Sequence, residues 1–254
     1  MPAERRQLIM ELLEKDSRIT VEAVARRFGV SAVTARADLS ALARQGALLR
    51  AHGGAVRAPD GLQDYPLQLK EGLHHAEKVR IAQCVTDLLL PKQIVIIDSG
   101  TTTAEIAKKI KARRIGPLTV ITNAMNIANE LTDAPLVSLI MVGGMLRPMS
   151  NSFVGPQAER MLDDFHADHF LLGVDGLDPH YGLSTPGILE AQLNAKMIAI
   201  SDRTTVVADS SKLGRRSLSV IGAITCAQCV ITDTGIEDNA KRAIEETGVS
   251  VVAV

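Results

Sequence analysis

The sequence contains no tryptophan, two tyrosines and four phenylalanines in 254 residues. Surfaces that hold carbohydrate or single-stranded nucleic acid by stacking need exposed rings, so this composition argues against both. Cysteine is almost as scarce. Cys84 stands alone, and Cys226 and Cys229 make one C-x-x-C with no second pair. One such pair supplies half of a structural zinc site and no disulfide framework, so the thiols are read as small apolar side chains. Long apolar runs are missing too: Ile94 to Ile97 and Phe170 to Val174 fall far short of the roughly 18 to 20 residues that cross a bilayer, and no membrane partner is expected. The opening Met1-Pro2-Ala3-Glu4-Arg5-Arg6 lacks the basic, apolar, small-residue order of a secretory signal, which predicts a cytoplasmic location.

What remains is an interior of Ile, Leu, Val and Ala in a chain long enough for two domains. The net charge of −1 conceals an asymmetry: residues 1 to 57 hold ten Lys/Arg against six Asp/Glu, and residues 58 to 254 hold eighteen against twenty-three. A small basic head on an acidic body suggests that the head meets an anionic polymer.

The head reads as three short helices and a hairpin. Between Glu4 and Glu14, Leu8, Ile9, Leu12 and Leu13 share one stripe, with Arg5, Arg6, Glu11 and Glu14 outside it. Thr20 suits the N-cap of a second helix, Val21 to Phe28, which Gly29 stops. Ser31 caps a third segment running to Gln45, with Ala35, Leu39 and Leu42 as its buried stripe. Only Gly29-Val30 separates the second helix from that cap, the tight junction of a helix-turn-helix. A helix fits the major groove and its first turns reach base edges. DNA contacts are therefore expected from Thr20, Ser31, Ala32, Val33, Thr34, Arg36, Ala37 and Ser40, with Val33 against a thymine methyl and Arg36 on guanine or phosphate. Beyond Gly46, two short apolar runs flank Gly53-Gly54, a two-stranded wing that sets Arg50, His52 and Arg57 beside the phosphate backbone. A protein-docking three-helix module is the alternative; the basic excess and the glycine wing favour double-stranded operator DNA.

Ala58 to His75, with Pro59, Asp60-Gly61 and Pro66, reads as a connector. The predicted organisation is a DNA-binding domain over 1–57, a linker over 58–75 and a second domain over 76–254. Adjacent His74 and His75 diverge on any regular element and are read as solvated linker residues. From residue 76 strand-like and helix-like stretches alternate, the pattern of an α/β fold with a mainly parallel sheet. Strands are predicted at 94–97, 118–121, 136–142, 169–174, 205–208, 229–231 and 249–254, and helices near 77–90, 102–112, 124–132, 157–164, 187–201 and 237–246.

Ligands of such folds gather at the carboxyl ends of strands. The first strand ends in Asp98-Ser99-Gly100-Thr101-Thr102-Thr103 and enters a helix at once. Glycine lets the backbone approach an anion, while free amides and threonine hydroxyls suit phosphate oxygens. Ordinary capping by Asp98, Ser99 or Thr101 is the competing reading. Asn123, Gly143, Gly144, Arg147, Ser152, Asp175, Glu190 and Lys212 close later strands or open later helices and complete the expected effector site. The loop is neither a P-loop nor a dinucleotide fingerprint, and no cofactor is expected. Asp163, Asp164, His166, Asp168 and His169 straddle a helix end and a strand start, so they are read as surface polarity without a metal.

Two sets of segments resemble the DeoR family of bacterial sugar-metabolism regulators. In the head they are Ser31-Ala-Val-Thr34-Ala-Arg36-Ala-Asp38-Leu39 and Leu49-Arg50-Ala51-His52-Gly53-Gly54-Ala55; in the body, Asp98 to Thr103, Thr122-Asn123, Gly143-Gly144, Gly173-Val-Asp-Gly176 and Asp209-Ser-Ser-Lys212. The resemblance implies an N-terminal winged helix-turn-helix and a C-terminal Rossmann-like α/β sensor domain related to ribose-5-phosphate isomerase. It also implies a phosphorylated sugar as effector. Ala35 departs from the family's Val or Ile, and Ala37 from its usual basic or polar residue, so the operator sequence is expected to differ from those of relatives. Gly143 to Arg147, Ser150 to Gly155, Phe165-His166 and Leu172 to Asp175 most resemble N-acetylgalactosamine-type repressors. The expectation is a sugar-catabolism regulator, a repressor acting as a homo-oligomer (dimer or tetramer). The alternative is a sugar-phosphate isomerase-like enzyme using Asp175, Asp178 and Glu190. Pro179, His180 and Tyr181 stand where the isomerase has its lysine, so binding without turnover is expected and no catalytic residue is assigned.

Overall fold

The structure is a computed structural model that describes residues 2–44, 47–56 and 64–254; Gln45, Gly46, Arg57 and residues 58–63 of the predicted connector lie outside it. The chain divides into two compact units, Met1–Leu73 and His74–Val254.

The first unit runs α1 (Pro2–Asp16), β1 (Arg18–Thr20), α2 (Val21–Phe28), α3 (Ala32–Arg44), β2 (Leu49–Ala51), β3 (Gly54–Val56) and α4 (Leu67–Gly72). Thr20 Oγ1 accepts the Ala23 N–H at 3.1 Å and starts α2, while Gly29, at φ 62°, ends it by returning its N–H to the Ala25 carbonyl. Ser31 Oγ accepts the Thr34 N–H at 3.1 Å and starts α3. Ile9, Met10, Leu13, Val24, Leu39 and Leu42 form the core. Leu8, expected inside, is exposed, and Met10 is buried instead.

Two expectations change here. The wing has three antiparallel strands in the order β1-β3-β2, because the residues between α1 and α2 pair with β3. The connector is shorter than expected: α4 belongs to the first unit, with Tyr65 and Leu73 in its core. A six-residue helix shows too little periodicity to stand out beside Pro66.

The second unit contains α5 (His75–Asp87), β4 (Ile94–Ile97), α6 (Thr101–Arg113), β5 (Leu118–Thr122), α7 (Met125–Leu131), β6 (Val137–Met141), β7 (Met145–Arg147), β8 (Ser152–Val154) and α8 (Pro156–Met161). It continues with β9 (Ala167–Leu172), β10 (Gly176–Asp178), β11 (Gly182–Thr185), α9 (Ile188–Ala199), β12 (Ser201–Val207), β13 (Ser219–Gly222), β14 (Cys229–Thr232), α10 (Asp238–Glu245) and β15 (Ser250–Ala253). His75 therefore opens a helix and is not a linker residue. Seven strands make a parallel sheet in the order β15-β14-β12-β9-β4-β5-β6. All seven were expected, although β9 and β12 begin earlier in the chain than predicted. The hairpin β7–β8 and the small antiparallel sheet β10-β11-β13 were not expected.

Both faces of the parallel sheet are covered, which explains its near-continuous apolar strands. Ile96, Ile121, Phe170 and Val206 face Leu193 and Met197 of α9. Val95, Ile97, Val120 and Ile231 face Ile81 and Val85 of α5 and Ile106 and Ile110 of α6. Among the described residues, no helix is long and apolar enough to cross a membrane.

Candidate functional site

The strand order reverses between β4 and β9: the chain leaves β4 toward β5 and β6, then returns to build β9, β12, β14 and β15 on the other side. Connections that depart in opposite directions part the loops beyond those two strands and leave a crevice. Asp98, one residue past β4, lies in it and is buried. Burial pushes its carboxyl well above the ordinary range, and the charges of Glu190 and Asp175 push the same way against hydrogen bonds from the Ser99 and Gly173 backbones. Ser99 Oγ lies 3.4 Å from Asp98 Oδ1 and 3.4 Å from Glu190 Oε1. Thr185 Oγ1 donates to Glu190 Oε2 at 2.7 Å and lies 3.5 Å from Asp175 Oδ2. The Arg147 guanidinium is 3.8 Å from Glu190 Oε2.

The structure thus joins Asp98, Ser99, Arg147, Asp175 and Glu190 of the expected site, and adds Thr185. Thr185 was missed because β11, which carries it, has four residues and no clear alternation.

Gly100 precedes α6, and no side chain caps that helix. The first helical bond runs from the Ala104 N–H to the Gly100 carbonyl, so the amides of Thr101, Thr102 and Thr103 have no partner within the helix. The capping alternative is thereby removed. All three threonines are buried, and Thr103 Oγ1 donates to the Gly100 carbonyl at 3.1 Å. Asn123 follows β5 and is fully buried; its Nδ2 donates to the Phe153 carbonyl at 2.9 Å, and its Oδ1 has no partner. Ser152 lies 2.7 Å, Oγ to Oγ, from Ser150. Gly143 and Gly144 are exposed at the root of the β7–β8 hairpin, where they lead the chain to Arg147.

Lys212 belongs to a different group. It ends a one-turn helix, Ser210–Lys212, capped by Asp209. Burial pushes the Asp209 carboxyl up, but the charges of Lys212 and His74, the Ser211 hydroxyl and the charge of Lys78 outweigh it and hold Asp209 below the ordinary range. Lys78, on α5, is only 3% exposed. The sequence did hold a signal for it: Lys78, Ile81, Ala82 and Val85 fall at i, i+3, i+4 and i+7, a lysine on a buried stripe.

Asp178, a carboxylate of the enzyme alternative, is occupied by the chain itself. Its Oδ1 accepts the N–H groups of His180 and Tyr181 at 2.9 and 3.1 Å, and its Oδ2 accepts from Arg216 Nε at 3.1 Å. Arg216 also stacks on the Tyr181 ring. The acidic and histidine run likewise divides among separate partners: Asp163 with Lys196, His166 with Asp202, Asp168 with the Ile94 N–H and His169 with Thr205.

In the first unit, Ala32, Val33, Arg36 and Ala37 are exposed along one side of α3, Val33 at 73%, with Thr34 and Ser40 half-buried beside them. Ser31 and Thr34 bond to each other, Oγ to Oγ1 at 3.0 Å, so both support the start of the helix. Arg50 and His52 are exposed on the wing. Sequence reasoning missed a groove of about 570 Å³ between α1, β1 and α2, lined in part by Arg18, Arg26, Arg27 and Asp16. It also left Arg5 and Arg6 in solvent, whereas both bond to Asp38.

Residues 5–59 match the DeoR-like helix-turn-helix domain, and residues 73–234 match the DeoR C terminal sensor domain. The chain belongs to the DeoR family. A relative named "Putative aga operon transcriptional repressor", from Escherichia coli O157:H7, is 39% identical over 99% of this chain and 94% of its own length. The transcriptional repressor AccR of Agrobacterium fabrum is 37% identical over 91% of this chain and 90% of its own. Among solved structures, a ribose 5-phosphate isomerase from Methanocaldococcus jannaschii is 14% identical, covers 55% of each chain and has a TM-score of 0.41. This DeoR-family chain is a DNA-binding transcriptional regulator and not an enzyme.

The Asp98 environment carries a stability prediction for this DeoR sensor. The folded chain keeps that proton to a higher pH than the unfolded chain, so stability falls as pH rises from the ordinary carboxylate value of 3.8 through the folded value. Asp98→Asn removes that loss. Calorimetry is expected to show a melting temperature at pH 7 higher by about 2–4 °C per kcal/mol regained, with the difference vanishing near pH 4; an equal gain at both values would rule out the titration.

Proposed function

We propose that this chain represses genes of sugar uptake and catabolism in the cytoplasm and is released from operator DNA by a phosphorylated sugar, with an amino sugar the leading candidate. The observation that carries the reading is the uncapped start of α6, beside Thr101 and Thr102, at the same strand reversal as the buried Asp98, Ser99, Thr185 and Glu190 and the half-buried Asp175. Helix amides and hydroxyls suit a phosphate, and carboxylates suit sugar hydroxyls or an amine. Lys78 and Lys212 add positive charge on the α5 side of the sheet. On the head, Val33, Arg36, Ala37 and Ser40 form the base-reading side of α3, with Thr34 and Ser31 at its start, Thr20 at the start of α2, and Arg50 and His52 on phosphate. Two heads on a homodimer or tetramer suit paired half-sites one helical turn apart. The names of two relatives, "Putative aga operon transcriptional repressor" and transcriptional repressor AccR, support the sign of regulation.

A coupling of about 1–3 kcal/mol between effector and DNA corresponds to roughly 5- to 150-fold weaker operator binding. The test is a thermal-shift screen of the full chain with sugar phosphates and their unphosphorylated forms, followed by footprinting with each hit. Stabilisation by the phosphorylated form alone, lost in Glu190→Gln and accompanied by release of DNA, is expected. Chemical conversion of the bound sugar phosphate, or equal response to the free sugar, would overturn the proposal.

A further inference from the structure

The reading helix carries one carboxylate that faces away from solvent. Asp38 is 2% exposed, although Arg36 and Ala37 before it are open. Arg5 Nε donates to its Oδ2 at 2.6 Å and Arg6 Nε to its Oδ1 at 2.8 Å, so two neighbours on α1 take its two oxygens separately. The following residue, Gln7, donates from Nε2 to the carbonyl of Gly72, the last residue of α4. The approach is close: a Cβ at Gly72 would come within 2.0 Å of the Gln7 side chain. Leu73, next in sequence, ends the first unit.

Stability alone is a poor explanation for this arrangement. Cations in the opening turns of α1 lie at the unfavourable end of its dipole, and a buried ion pair is often no better than apolar packing of the same volume. What paired charge-assisted bonds supply is fixed geometry. They set how far α3 turns and advances, and base readout depends on that placement.

We propose that Arg5, Arg6 and Gln7 form a bracket that fixes the pose of the reading helix and ties it to the segment leading out of the head. Asp38 is then a positioning residue for base discrimination, and Gln7 fastens the same turn of α1 to Gly72. This rests on the DNA-reading face proposed above.

The experiment uses the full chain, a duplex selected by it from a random pool, and a scrambled duplex of the same length. Anisotropy at fixed salt, well below the melting temperature, gives the ratio of the two affinities, which cancels the change in protein charge. Asp38→Asn and Arg6→Gln are expected to lower that ratio by about 10-fold or more while the scrambled affinity moves little. Should Asp38→Asn fail to fold, Arg6→Gln decides, since its side chain is 32% exposed and Arg5 remains on Asp38. Folded variants with an unchanged ratio overturn the positioning role. Arg36→Ala runs beside them: if it too leaves the ratio unchanged, the reading face itself is wrong. Hydrogen exchange tests the tie to Gly72. Gln7→Ala is expected to speed exchange of α3 amides, and unchanged exchange overturns that half of the proposal.

Discussion

Gly54→Val is expected to unfold the head and abolish operator binding while the transition of residues 74–254 persists in calorimetry. A Cβ at this position would lie 2.1 Å from the Ile19 backbone oxygen and 2.9 Å from the Thr20 Cα. Neither atom belongs to a flexible side chain, so the strands themselves must separate. Gly54 pairs with Thr20 on β1 and with Ala51 on β2, and the adjacent Gly53 carbonyl accepts the Val21 N–H at 2.9 Å. Separation therefore removes the middle strand of the wing and the start of α2 together. A loss above about 4 kcal/mol, in the exceptional range for one substitution, is anticipated. Wild-type operator affinity in this variant would mean that β3 does not lie between β1 and β2.

Asp209→Asn should cost the second unit about 3–5 kcal/mol at pH 7, the usual consequence of removing one member of a buried charge group. The substitution preserves shape and leaves the charges of Lys212, His74 and the buried Lys78 without this carboxylate. The pH dependence gives the mechanism its signature. Asp209 holds a folded-state pKa below the ordinary 3.8, so its contribution is complete above that value and disappears as pH falls through the folded one. Wild type and variant should differ fully at neutral pH and converge in acid. Millimolar inorganic phosphate should raise the melting temperature of the variant more than that of wild type, because an anion can take the carboxylate's place among those cations. A pH-independent difference would point to lost packing instead.

The legible parts of this protein were those with enough residues to show a period. Thr20, Gly29 and Ser31 marked helix ends because each has a local reason to be there, and the structure bears out all three positions. The seven strands of the parallel sheet were visible as apolar runs, since burial on both faces leaves little room for polar residues. Six short strands escaped, β1, β7, β8, β10, β11 and β13, because three or four residues offer too few positions for alternation; equally short β2 and β3 were legible through the glycine pair Gly53-Gly54, and β4, β14 and β15 as apolar runs. With β11 went Thr185, and with β1 went the third strand of the wing.

Charges were the least legible feature. Arg5 and Arg6 sit where an amphipathic pattern puts solvent-facing residues, and only the approach of α3 turns them onto Asp38. Lys78 was passed over because a lysine on an apolar stripe gains its meaning from a carboxylate 131 positions later in the chain.

By itself the sequence determined the two-part organisation and the order of helices and parallel strands, and it marked the loop from Asp98 to Thr103 as a candidate anion site. These follow from interactions between residues close together in the chain. The tertiary structure decided which polar groups share one crevice, that α6 begins uncapped, and which charges lie buried against one another. Those outcomes depend on strand order and desolvation, which distant segments impose on each other and local patterns do not record.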